Sequence, residues 1–252
     1  IDVQGNNKTI YSTGTNGTYK FRAYDKAGNI SEICTVVLDT VKPTLALTAQ
    51  FYKSSETVRA TVTDTNLEKI TLANNKGALI YSGANRTWNT NNLDECTYIL
   101  TAYDKAGNAS SASFVVDKTA PSFSVNAYYN ASETISAVIT EIYYSKTTLD
   151  GNEISVIKNT ISVPAKELTD GTHTLIVYDS AGNSATSSFI VDKTAPVFTV
   201  SEFYKLGQTV QLNISEKNPD YVLLDGIKQD NTKKSWTVGT EITEGVHTIK
   251  VI

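Results

Sequence analysis

The sequence predicts an all-β fold, a tandem array of two-sheet β-sandwich units. Three observations carry this. The hexapeptide YDKAGN at 24–29 returns unchanged at 103–108 and as YDSAGN at 178–183. Composition favours strands, with abundant Thr, Ser, Val, Ile and Tyr and 14 Gly spread along the chain. No stretch sustains a 3.6-residue apolar period.

Aligning the chain on the hexapeptide brings Pro43, Pro121 and Pro196 into register, 78 and 75 residues apart. Each proline is followed by an aromatic pair, Phe51-Tyr52, Tyr128-Tyr129 and Phe203-Tyr204, then by SSETVRATVTD, ASETISAVITE and LGQTVQLNISE. Such self-similarity is direct sign of a repeat architecture. The boundaries it sets are 1–39 for the last part of unit one, 40–117 for unit two, 118–192 for unit three and 193–252 for the first part of unit four. Ile1 aligns with Ile80 and the chain contains no Met, so the sequence reads as an interior piece of a longer chain.

Within each unit, alternation places Tyr19, Phe21 and Ala23 on one strand face, as it does Tyr98, Leu100 and Ala102, and His173, Leu175 and Val177. Hairpin turns are expected at 74–77, at Asp150-Gly151 and at Asp225-Gly226. About seven short strands per unit, with turn chemistry between them, indicate two packed sheets. Within the hexapeptide, the four residues DKAG (DSAG in the third copy), with Asp first and Gly fourth, match a type I turn closed by a left-handed residue. That turn chemistry explains Asp25, Asp104 and Asp179, and Gly28, Gly107 and Gly182, without any ligand.

The segments GTYKFRAYDKAGN, CTYILTAYDKAGN and GTHTLIVYDSAGN, each followed by a strand and by LDTVKP or VDKTAP, resemble bacterial immunoglobulin-like repeats of long surface proteins. The resemblance covers essentially the whole chain. It implies immunoglobulin-like sandwiches in an elongated rod, in which the hexapeptide joins the last two strands. It also implies a non-catalytic stalk, spacer or fibre segment of a bacterial cell-surface or secreted protein, placed outside the cell or in its wall. The alternatives are an adhesive module recognising glycan or a host surface protein, and ancillary domains of a secreted carbohydrate-active enzyme. Expected partners are the neighbouring units and other copies in a fibre.

An enzyme reading would begin with His173 and His247, the two histidines. They stand where Tyr19 and Tyr98 stand in other units, the place of a tyrosine corner, and His imitates Tyr there. No Ser/His/Asp or Cys/His constellation remains without them. Cys34 and Cys96 fall at non-equivalent positions of different units, so both are expected as free thiols. Trp88 and Trp236 read as core anchors, whereas Tyr52, Tyr129 and Tyr204 are the better candidates for exposure.

Net charge is −4 with no clustered Lys/Arg surface, which argues against nucleic acid. No apolar run approaches the roughly 18 residues of a membrane helix. The acidic residues instead suggest a hard cation. The hexapeptide turn should meet the incoming linker and the end of the second strand. Asp39, Asp64 and Asp104 would then converge before unit two, and Asp117, Glu141 and Asp179 before unit three. Calcium takes six to eight oxygens and would relieve the repulsion of such trios; no other cofactor is expected. Lys118 and Lys193 are placed to neutralise part of this charge, and Pro43, Pro121 and Pro196 to stiffen the linkers.

Overall fold

The computed structural model describes residues 14–230 and 232–252. The start of the expected segment 1–39 therefore lies outside the described residues. Compactness divides the chain into two units. One holds residues up to Asn126 with Ile135–Ser162 and His173–Phe189, and the other holds Ala127–Thr134, Val163–Thr172 and Ile190–Ile252.

In the first unit, β1 (Gly17–Phe21) and β2 (Cys34–Leu38) form an antiparallel hairpin with Gly17 opposite Leu38. The second repeat follows with β3 (Thr44–Leu47), β4 (Phe51–Tyr52), β5 (Thr57–Thr63), β6 (Leu67–Asn74), β7 (Leu79–Gly83), β8 (Thr87–Asn89), β9 (Cys96–Asp104) and β10 (Ala109–Val116). These make two sheets, ordered β4-β10-β9-β6-β7 and β3-β5-β8. The alternation does what period-2 patterning requires. Val58, Ala60 and Val62 of β5 and Tyr98, Leu100 and Ala102 of β9 all point into one core with Ile70, Leu72, Trp88 and Phe114. Phe114 sits at its centre, stacked on Tyr98 with ring centroids 5.3 Å apart and edge-on to Tyr52 at 5.7 Å.

The third repeat uses the same plan. Its strands are β11 (Tyr128–Tyr129), β12 (Thr134–Val138), β13 (Tyr144–Leu149), β14 (Asn152–Ile154), β15 (Thr160–Pro164), β16 (Gly171–Asp179) and β17 (Ser184–Val191). Sheet order is β11-β17-β16-β13-β14, with β12 paired to β15. The fourth repeat supplies β18 (Val197–Thr199), β19 (Thr209–Gln211), β20 (Asn213–Ser215), β21 (Val222–Leu224), β22 (Ile227–Lys228), β23 (Ser235–Thr237) and β24 (Ile249–Val251). Val210, Leu212, Val222, Leu224, Trp236 and Val251 form its own core. Trp88 and Trp236 are thus buried anchors, as expected.

The hairpin turns fall where turn chemistry puts them. Asp150 and Gly151 (φ 50° and 83°), like Asp225 and Gly226 (52° and 79°), have left-handed backbones at both central residues, the twist that suits an antiparallel ribbon. Cys34 and Cys96 are free thiols. Among the described residues, no helix is long and apolar enough to cross a membrane.

One expectation is corrected. Tyr52 and Tyr129 are buried and Tyr204 is half-buried, while the first aromatics Tyr128 and Phe203 are exposed. The reason is pairing. β4 runs parallel to β10, with Tyr52 opposite Val116, and β11 runs parallel to β17, with Tyr129 opposite Val191. That register turns the second ring inward. The Tyr52 hydroxyl lies 3.0 Å from Thr48 Oγ1 and accepts from the Ala49 N–H at 2.9 Å, so its polar tip is satisfied.

Truncating the central ring tests this core. Phe114→Ala is expected to destabilise the second repeat by about 3–5 kcal/mol, read from the shift of its denaturant-unfolding transition. The neighbouring Ser113→Ala, on the outer face, should shift it by no more than about 0.5 kcal/mol.

Candidate functional site

The hexapeptide builds the site. Asp104 Oδ1 accepts the backbone N–H groups of Ala106 (2.9 Å) and Asn108 (2.8 Å), and the Gly107 N–H closes the turn on the Asp104 carbonyl at 3.2 Å. Gly107 has φ 92°, the left-handed conformation that favours glycine. Asp104 Oδ2 accepts from Asn108 Nδ2 at 2.7 Å. The same amide also donates to the linker carbonyl of Asp39 at 3.0 Å. The third repeat duplicates this: Asn183 Nδ2 donates to Asp179 Oδ2 at 2.7 Å and to the Asp117 carbonyl at 2.9 Å. In the first repeat Asn29 Nδ2 donates to Asp25 Oδ2 at 2.6 Å.

The terminal Asn is therefore the residue that sequence reasoning missed. Its signal was present. A type I turn needs Asp and Gly, yet the sixth position is Asn in all three copies. Asp104 and Asp179 are both buried in the process. Burial pushes the Asp104 carboxyl upward, but the Asn108 amide and the backbone donors of Asn108, Ala106 and Gly107 outweigh it and hold the group below the ordinary value.

The linker carboxylates lie at the same end. Oxygen atoms of Asp39, Asp64 and Asp104 all come within 4.8 Å of one another, a set that could hold a metal ion. Asp39 Oδ2 is also satisfied by Asn66 Nδ2 at 2.6 Å, and its Oδ1 by the Val41 N–H at 3.0 Å. Among the described residues this is the group whose oxygens gather so closely. In the other trio, Glu141 Oε1 accepts the Tyr143 N–H at 2.8 Å, and Asp117 is nearly closed to solvent. Burial, then the charges of Asp179, Glu141 and Glu95, push the Asp117 carboxyl upward. Lys118 and Lys193 do not neutralise these groups. Their ammonium groups donate to the carbonyls of Leu93 (2.6 Å) and Leu168, because each lysine turns back onto the repeat before it.

The histidines do take the tyrosine-corner place. Tyr19 Oη donates to the Thr15 carbonyl (2.6 Å), Tyr98 Oη to that of Asp94 (3.0 Å), and His247 Nε2 to that of Thr243 (3.0 Å), each four residues upstream. His173 is buried and stacks on Phe189 at 5.5 Å, as Tyr98 stacks on Phe114. A second nitrogen adds something Tyr lacks. Nδ1 of His173 donates to Asp150 Oδ2 (2.6 Å) and Nδ1 of His247 to Asp225 Oδ2 (2.7 Å). The free oxygens of these aspartates accept the Thr174 and Thr248 N–H groups, so the ring ties its strand to the Asp-Gly turn. Both rings are thereby committed to structure.

The sandwich units and their repeated junction turn define a class: tandem immunoglobulin-like modules. Residues 11–40 match the family model described as Bacterial Ig-like domain, and the matched YDKAGN-to-LDT segment is the one this chain repeats. The match covers 30 of the 252 residues and supports a bacterial Ig-like domain there; such domains are typically extracellular or at the cell surface. It is similar to solved structures at low identity. Murine CEACAM1b is 12% identical over 61% of this chain and 100% of that chain (TM-score 0.36). The N-terminal eight Ig domains of DSCAM isoform 1.30.30 are 13% identical over 91% of this chain and 40% of that chain (TM-score 0.30). Bacteroides ovatus SGBP-B of a mixed-linkage glucan utilization locus, solved with a mixed-linkage heptasaccharide, is 14% identical over 99% and 78% (TM-score 0.25). No curated protein matches the chain.

Two measurements follow from this geometry. Asn108→Ala leaves Asp104 Oδ2 and the Asp39 carbonyl without their shared donor. It should cost about 1–3 kcal/mol in thermal or chemical unfolding, whereas the exposed Lys105→Ala should cost no more than about 0.5 kcal/mol. For His247, the Asp225 carboxylate and then the Thr243 carbonyl raise the ring above its ordinary value, both nitrogens facing acceptors. The stability from this pair is fully present below about pH 6.5 and lost as pH rises through the raised value. An NMR titration of the ring protons should find the elevated midpoint, and His247→Tyr should abolish this part of the pH dependence of melting.

Proposed function

We propose that the chain is a non-catalytic spacer, a stalk or fibre segment of a bacterial cell-surface or secreted protein, in which each repeat is pinned to the linker entering it. The observation that carries this reading is the shared amide: Asn108 on the Asp39 carbonyl and Asn183 on the Asp117 carbonyl, the same bond at successive junctions. A module evolved for one ligand would specialise one unit, but here the chemistry at the repeat ends recurs while the faces vary.

A second contact supports it at the start of the third repeat. Phe51 meets Tyr143 edge-on at 5.3 Å and Lys53 Nζ donates to the Gly182 carbonyl at 3.4 Å, so side chains of the second repeat reach the third repeat's end directly. Short proline-bearing linkers add backbone stiffness, with Pro43 and Pro121 buried. The exposed aromatics Tyr128 and Phe203 favour the adhesive reading, since exposed rings can stack on sugar faces.

Small-angle scattering of the whole 252-residue chain separates these. A spacer should give a radius of gyration well above the roughly 18 Å of a compact chain of this length, with no binding on a glycan array. A value near 18 Å would sink the spacer reading, and saturable glycan binding lost on Tyr128→Ala would replace it with the adhesive one.

A further inference from the structure

The first two linkers are also held by the repeats they leave. Asn16 Oδ1 accepts the Thr40 N–H at 3.2 Å and the Thr40 hydroxyl at 2.7 Å, just past Asp39. Glu95 Oε1 accepts the backbone N–H of Lys118, just past Asp117, and the Thr119 hydroxyl at 2.9 Å. Asn16 and Glu95 are equivalent, each standing three residues before the corner tyrosine, Tyr19 or Tyr98. The same place holds Asp170 before His173 and Glu244 before His247. Three of the four are carboxylates, at a position that serves as an acceptor. Asn16 is the exception, an amide whose nitrogen donates to nothing among the described residues.

Three features of Asn16 favour its conversion to a carboxylate. Its side chain is exposed, so water reaches it. It precedes Gly17 in the one Asn-Gly pair of the chain, and a glycine nitrogen, with no Cβ beside it, approaches the preceding side chain with least hindrance. Its Oδ1 faces two donors from Thr40, the arrangement that stabilises negative charge developing on a carbonyl oxygen. Asn85 is exposed as well, but it precedes Arg86 and its Nδ2 is engaged on the Thr87 carbonyl.

We propose that Asn16 is a spontaneous modification site, converted in the folded chain to the aspartyl residue that the third repeat already carries at this place. The Gly17 nitrogen attacks Asn16 Cγ, its proton leaves with Nδ2 as ammonia, and a five-membered succinimide closes. Water then adds to one of the two ring carbonyls and reopens the ring. One water is consumed and one ammonia released, with no change of oxidation state. Thr40 donates to the oxygen on Cγ and so directs water to that carbon, where opening restores the ordinary backbone. Opening at the other carbonyl would give an isoaspartyl link. The new carboxylate keeps both Thr40 bonds and adds charge to them, which strengthens bonds of this kind. The first linker is then held by a carboxylate, as Glu95 holds the second. The modification stands independently of the spacer reading.

Peptide mapping by mass spectrometry of the 252-residue chain, aged in mildly alkaline buffer, tests this. The expected result is a one-dalton gain at Asn16, with ammonia released and the ordinary aspartyl form as main product. Thr40→Val keeps the shape, loses the hydroxyl donor, and should slow the gain about tenfold while raising the isoaspartyl share. The chain unfolded in guanidinium supplies a second comparison, since Thr40 no longer meets Asn16 there. Faster gain and more ordinary product in the folded chain support the proposal. No gain in the folded chain overturns it, as does an isoaspartyl main product, or equal rates and product ratios in folded and unfolded chain. Asn16→Asp, the finished state, should melt no lower than the parent chain, and a lower melting temperature would also overturn it. Circular dichroism verifies that Thr40→Val is folded, and the unfolded comparison keeps the test decisive if it is not.

Discussion

The buried carboxylate of the hexapeptide is the constraint on which the junctions depend. Asp104 and Asp179 each accept from their own turn with one oxygen and from an Asn amide with the other. The amide has two hydrogens, and the second goes to the linker. Turn and linker therefore share one side chain. A turn that opened would release the linker carbonyl, and a displaced linker would leave a buried amide hydrogen unpaired, a cost of about 1–3 kcal/mol in either case. Against a net stability of about 5–15 kcal/mol for a domain, that coupling is substantial.

Around this constant feature the repeats differ by exchanges of single polar groups, and each exchange has a traceable consequence. Where Tyr98 becomes His173, the ring recruits Asp150 from a turn 23 residues away. Where Asn66 becomes Tyr143, the linker aspartate loses its donor and the second repeat gains an aromatic contact. The first exchange is closed within one repeat. The second leaves one carboxylate oxygen without a hydrogen-bond partner at a buried position.

Much of the fold was legible because its determinants are local. Alternation along 98–102 and 173–177 named the inner faces, and Asp-Gly pairs named the turns, since both depend on backbone stereochemistry over a few residues. The corner histidines were legible by alignment inside the chain. The orientation of Tyr52 and Tyr129 was not, because a two-residue strand has no alternation to read and its inward side is set by parallel pairing to β10 and β17. Lys118 and Lys193 were misread for a related reason. Sequence proximity to an aspartate says nothing about which carbonyl a long flexible side chain reaches.

By itself the sequence determined the repeat, its period, the strand faces, the turn chemistry and which acidic residues flank each linker. Only the tertiary structure decided how those carboxylates are satisfied. Asn108 and Asn183 find their linker carbonyls across 69 and 66 residues, Asp39 finds Asn66 across 27, and Asp117 finds no donor for one oxygen. The physical reason is directional. A hydrogen bond exists or fails within a few tenths of an ångström and a few tens of degrees, so it is settled by how separate segments pack, which no local pattern of residue types encodes.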